Sequence, residues 1–119
     1  LTLIENINFW RKIFSSKLLT KEILSILDLL SLKTYVNKQV GYLSSGEIKK
    51  LELTRLIIEQ KKLWVLDEPY NGLDSSTSEI LSETFKNHIN NDGMIIFASH
   101  VVPKIENLEI INLENYANF

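Results

Sequence analysis

Two carboxylates stand side by side at Asp67 and Glu68, directly after the apolar run Leu63-Trp64-Val65-Leu66. Pro69 and Gly72 end the run, and Asp74 follows at short range. Adjacent acids delivered by a strand to a ligand edge suit a magnesium–nucleotide site. One acid can hold the metal through water, and the next can position an attacking water. The plainer reading is an exposed acidic loop, and the acids alone do not decide between the two. His100 follows a second apolar run, Met94 to Ala98, with Ser99 between. A histidine just past a buried parallel strand can reach the same edge as Glu68; otherwise it is a loop histidine. A third stretch is Leu43-Ser44-Ser45-Gly46-Glu47. Ser44 and Glu47 fit a capping box, so a plain capped helix is one reading. The other is an anion site, because helix N-terminal N–H groups favour phosphate and small residues leave room for it.

These residues need elements to carry them. Short apolar runs bounded by turn residues read as buried strands of a parallel sheet. Leu63 to Leu66 and Met94 to Ala98 are expected to be two such strands, with the acids and His100 at their carboxyl ends. Ligands bind at that end of open α/β sheets. Ser75 to about Asn90 reads as the helix between them, capped by Ser76 and Glu79, with His88 at the boundary of its packing face. Upstream, Leu3, Ile7, Trp10 and Phe14 recur at helical spacing, and Thr2 with Glu5 forms a capping box. Core packing is the expected role of Phe9 and Trp10. Lys21 to Leu30 is a second helix, with Ile23, Ile26, Leu27 and Leu30 on one stripe. Ser31 to Tyr42 is mixed, a short helical turn and a loop. The helix opening at Ser44 carries Ile48, Leu51, Leu53, Leu56 and Ile57. Leu108 to Leu113 reads as a last strand. Two units are expected, a helical one at 1–45 and a strand-bearing one at 46–119.

Composition narrows the classes. The 119 residues suffice for one small domain, and 45% hydrophobic with 24% charged residues is ordinary for a globular protein. A formal charge of −2 gives no basic footprint for nucleic acid. Without cysteine there is no disulfide framework or thiolate metal site, and two histidines exclude a histidine-rich cluster. No run reaches the roughly 18 apolar residues of a membrane span, and no signal peptide is evident. Leu1 in place of Met suggests a fragment, an unusual start codon or a trimmed chain.

Taken in order, Leu43 to Glu47, Leu63 to Pro69, Leu73-Asp74 and His100 resemble the second half of an ABC-type ATPase subunit. The resemblance covers nearly the whole chain. It implies an α/β fold: part of a P-loop NTPase core, with parallel strands, flanking helices and an N-terminal helical subdomain. It implies that Ser44, Ser45 and Gly46 face the γ-phosphate of ATP held by an opposite subunit. Asp67 would hold Mg2+, Glu68 would act as general base or orient the water, and His100 would contact the γ-phosphate. Asp74 would lie in the loop that communicates across the dimer. The implied partners are a second ATPase subunit and transmembrane subunits, at the cytoplasmic face of the inner membrane. Within the family, Leu1 to Trp10 and Leu63 to Pro69 are most similar to the haem-exporter ATPase of cytochrome c maturation. Haem export driven by ATP hydrolysis is the implied activity.

The chain also departs from the family pattern. Ser45 and Glu47 stand where Gly and Gln are commonest, and Glu47 brings negative charge near a phosphate site unless it folds back as the cap. No Gly-x-x-x-x-Gly-Lys-Ser/Thr loop occurs, so the phosphate-loop strand is absent. The family's glutamine loop and adenine-stacking aromatic are absent too. The isolated chain is therefore expected to be inactive alone, with two strand edges facing a gap. The alternatives are a non-catalytic split-gene piece completed by a separate phosphate-loop chain, and a degenerate gene product.

Overall fold

Local capping starts each of the first elements. The computed structural model describes residues 1–116. Helix α1 spans Leu3–Ile13. The Thr2 hydroxyl accepts the Glu5 N–H at 3.3 Å, and the Glu5 carboxylate accepts the Thr2 N–H at 2.7 Å. Helix α2 spans Thr20–Leu29. It lacks a polar N-cap side chain, but Glu22 reaches back to the Leu19 N–H at 2.6 Å. Two 3-10 turns, Lys33–Tyr35 and Val40–Tyr42, fill the mixed stretch. Helix α3 spans Ser45–Glu59, and both α1 and α2 pack on it. Leu3, Ile7, Ile23, Leu27 and Ile58 are sealed from solvent there. Phe9 is more than half exposed, whereas Trp10 packs against the core, so only one of that aromatic pair has the expected role.

Strand β1 (Leu63–Asp67), helix α4 (Ser75–Asn90) and strand β2 (Met94–Ala98) form one parallel β-α-β unit. Register runs from Leu63 beside Met94 to Asp67 beside Ala98. Among the described residues the sheet has only these two strands. Trp64 is its anchor. It lies edge-on to Phe85 of α4 and stacks flat on His88, with ring centroids 3.7 Å apart. His88 Nε2 also lies 2.8 Å from the Lys62 carbonyl. Gly93 makes room for this: a Cβ there would fall 2.4 Å from the His88 ring. A single apolar cluster runs from Leu3 through Trp64 to Phe85 and joins the helices to the sheet.

Three expectations are corrected. Leu108 to Leu113 is not a strand; those residues lack regular structure until a 3-10 turn at Leu113–Tyr116. A strand exists only by pairing, and among the described residues none pairs with this stretch. The N-cap of α4 is Asp74, not Ser76: its carboxylate accepts the Thr77 N–H at 2.7 Å. The strands are not buried on both faces. Trp64, Leu66, Ile95 and Phe97 pack inward, while Leu63, Val65, Met94 and Ile96 are exposed. The tail beyond residue 116 lies outside the described residues.

Candidate functional site

β1 runs straight into the acids. Asp67 is its last residue, and the ladder continues one step further as the Glu68 N–H donates to the Ala98 carbonyl at 2.8 Å. Glu68 then turns left-handed, with φ +47°. A residue with a Cβ pays roughly 1–2 kcal/mol for that conformation. The turn that follows is held by the Asn71 N–H on the Glu68 carbonyl at 3.1 Å, and Gly72 supplies φ +73°. Tyr70 fastens the turn to the core. Its hydroxyl is 2.7 Å from that of Ser82, its ring stands edge-on to Phe85, and burial pushes its phenol above the ordinary pKa.

This geometry brings the Glu68 carboxylate toward the end of β2. His100 Nε2 lies 3.3 Å from Glu68 Oε1, and the His100 side chain is 96% exposed. Asp67, one residue back, is also exposed. Among the described residues no group of three or more His, Asp or Glu side chains could enclose a metal. A cation beside Asp67 would take one carboxylate and complete its shell with water and phosphate oxygens, as Mg2+ does. The donor set therefore fits a phosphate-borne magnesium rather than a protein cage.

A second cluster surrounds an open cleft of about 240 Å³. Ser44, Gly46, Glu47 and Lys50 of the α3 start line one side, and Gly72, Leu73, Asp74 and Thr77 the other. Glu47 is folded back. Its carboxylate accepts the Ser44 N–H at 2.5 Å, and the Ser44 hydroxyl accepts the Glu47 N–H at 3.2 Å. That backbone hydrogen bond from Ser44 holds the Glu47 carboxyl below its usual range, and the Lys38 ammonium is 3.9 Å away. The extra negative charge is thus engaged with the helix start. Gly46 has nothing within 4 Å of an added Cβ, so no neighbour within the chain requires it to be small. Ser45 is exposed but does not line the cleft. The Thr77 hydroxyl first, and its N–H second, hold the Asp74 carboxyl below its usual range.

The expected residues therefore fall into two groups. Asp67, Glu68 and His100 meet at the sheet edge, while Ser44, Gly46 and Asp74 share the cleft. Lys50 was missed by the sequence reading. It follows Gly46 and Glu47 by four and three residues, which puts all three on one helix face. Lys49 was missed too; its ammonium donates to the Asn71 carbonyl and ties α3 to the turn after the acids.

A family model described as ABC transporter matches residues 2–71, more than half of the 119. The chain belongs to the ABC transporter family. The cytochrome c biogenesis ATP-binding export protein CcmA of Histophilus somni is 30% identical over 97% of this ABC chain and 53% of its own length. The protein of the same name from Bartonella henselae is 32% identical over 98% and 55%. Among solved structures, an ATP-binding cassette of an ABC transporter in its ADP conformation has a TM-score of 0.60 at 21% identity. It covers 86% of this chain and 46% of its own. RNase-L Inhibitor has a TM-score of 0.67 at 18% identity, over 83% and 19%. Those two likenesses speak to the fold alone, an α/β, partial ABC-type P-loop core with an N-terminal helical part; among the described residues there is no phosphate-loop strand. The ABC chain spans about half the length of the curated relatives it matches.

Proposed function

We propose that this chain supplies the water-activating edge and the partner-facing cleft of an ATP-hydrolysing ABC transporter subunit. The observation that carries the reading is the 3.3 Å approach of His100 to Glu68, beside Asp67, at the carboxyl end of a parallel sheet. Asp67 would hold Mg2+ through water; bound with ATP, the cation would neutralise charge on the phosphates. Glu68 accepts a proton from, or orients, the attacking water, and His100 donates a hydrogen bond to the γ-phosphate. Ser44, Ser45 and Gly46 offer N–H and hydroxyl groups to the triphosphate of a second subunit, and Asp74 sits at that same contact. The physics suits the chemistry, since phosphoryl transfer is mainly positioning and charge stabilisation.

The finer reading is export for cytochrome c biogenesis, of haem or a related component, which rests on what the relatives are named for. The assembly would pair two such subunits with transmembrane subunits at the cytoplasmic face of the inner membrane. Residues 1–45 would dock on the membrane partners, and no nucleic acid is involved. Among the described residues no helix is long and apolar enough to cross a membrane. The test uses this chain completed by a separately supplied phosphate-loop half. Glu68→Gln should lower turnover by about 10²-fold or more while ATP binding persists. Equal turnover in the variant would reject the role given to Glu68.

A further inference from the structure

The cleft at the start of α3 carries two carboxylates on its walls, Glu47 and Asp74, against one ammonium, Lys50. Counted alone, those walls are net negative and a poor match for an anion. Asp74 has its counter-charge: the Thr77 hydroxyl, the Thr77 N–H and then the Lys50 ammonium hold its carboxyl down. Glu47 draws on a residue outside the cleft lining. Lys38 Nζ lies 3.9 Å from the Glu47 carboxylate, with side chains 38% and 16% exposed. Backbone hydrogen bonds fix Lys38 from two sides. Its N–H donates to the Tyr35 carbonyl at 2.9 Å, and its carbonyl accepts the Leu3 N–H of α1 at 2.9 Å. The ammonium sits over the Tyr35 ring, 5.0 Å from the centroid. An ion pair this open to water adds little to stability. For a polyanionic ligand it matters more, since every charge on the ligand adds to the repulsion from Glu47.

We propose that Lys38 is a positioning residue for the triphosphate: held over Tyr35, it neutralises Glu47 so that the Ser44–Gly46 helix start can take the phosphate of an ATP carried by a second subunit. This deepens the proposed function and rests on its placing of the α3 start against that triphosphate. Lys38 does not line the cleft, so it acts through Glu47 rather than on the phosphate. The fold itself does not call for a charge at Glu47, because glutamine closes a capping box equally well. Removing the Glu47 charge while keeping the cap therefore makes Lys38 dispensable. That dependence of one residue on the other separates a counter-charge from a plain surface pair and from a direct phosphate ligand.

The experiment uses the chain completed by its phosphate-loop half, in a Glu68→Gln background that stops turnover. Light scattering follows the pairing of two such subunits as Mg2+ and ATP are titrated in. Lys38→Met, which keeps the stem over Tyr35, should raise the ATP concentration for half-maximal pairing roughly three- to fivefold at low salt, the worth of an exposed ion pair. The difference should fade at about 1 M salt, where screening reaches about 3 Å. Lys38→Arg should stay near the parent. Glu47→Gln should pair at least as well as the parent, and Lys38→Met with Glu47→Gln should match Glu47→Gln alone. With Glu68 restored, Lys38→Met should raise KM for ATP and leave kcat unchanged. Parental pairing by Lys38→Met would overturn the proposal. So would a double variant as weak as Lys38→Met, since Glu47→Gln cannot mend a damaged fold or replace a lost phosphate ligand. Gly46→Asp tests the underlying reading, because an added Cβ there meets no neighbour within the chain. If Gly46→Asp pairs normally, the triphosphate is not at the α3 start and the reading fails. If Gly46→Asp is impaired while Lys38→Met is not, the proposal alone fails. A parent that does not pair with ATP sinks both.

Discussion

Glu68 occupies a backbone conformation that sterics disfavour, and the surrounding turn keeps it there. The Ala98 carbonyl accepts its N–H, the Asn71 N–H donates to its carbonyl, and Tyr70 pins the turn to α4. Strain held in this way points a carboxylate off the strand axis and toward His100. The other histidine has a different task. His88 is stacked on Trp64 and joined to the Lys62 carbonyl, which makes it part of the fold. In the completed, ATP-turning protein, His100→Ala should therefore slow turnover by about 10²-fold, the size of losing one charge-stabilising donor. His88→Ala should change turnover less and lower the thermal midpoint more. The opposite ranking in paired turnover and melting measurements would show that the roles are exchanged. The acids and His100 were legible because a strand end is marked by its own composition. Lys50 was not, because a lysine on a helix reads as a solvated face until the opposite wall of the cleft is known.

Caps explain much of what holds the elements in place, and also where the sequence misled. Ser76 with Glu79 matches the capping template as well as any pair in the chain, yet Asp74 won. The turn closed by Gly72 delivers Asp74, not Ser76, in extended geometry at the helix start. In the completed protein, Asp74→Ala should lower the urea midpoint clearly more than Ser76→Ala, with Asp74→Asn close to the parent because asparagine caps as well. Equal effects would return the cap to Ser76. Three capping carboxylates, Glu5, Glu47 and Asp74, sit below their usual pKa in the fold. A depressed folded pKa stabilises the native state above the unfolded value, near 4, and that contribution is lost as pH falls through the folded value. Urea midpoints of the completed protein should accordingly hold steady from pH 7 to about 5 and then decline toward pH 3. A midpoint that rises on acidification would contradict the capping assignments. The missing strand at Leu108 to Leu113 teaches the complementary lesson. An apolar run states a preference for extended backbone, but a ladder needs a neighbour.

At the scale of the whole molecule, the apolar cluster is continuous but lopsided. Leu63, Val65, Met94 and Ile96, on the exposed face of the sheet, each forgo up to about 1.5–3 kcal/mol of burial. Four of them approach the 5–15 kcal/mol that is the entire stability of a typical domain. The chain alone is expected to melt over a broad range without a cooperative transition, and to melt sharply once the sheet is covered. Calorimetry with and without the phosphate-loop half checks this; a sharp transition for the chain alone would refute it. The helical part and the β-α-β unit were readable from periodicity because each is local. The exposed face was not, because strand composition announces burial without saying which element provides it.

Gly93 makes room for the stacking of Trp64 on His88, which packs one side of the extended Leu63-Trp64-Val65-Leu66 run. An extended, uncharged ribbon with an open rim is also a template for copies of itself. Whatever leaves this face uncovered thus favours fibrous precipitation over a dispersed chain.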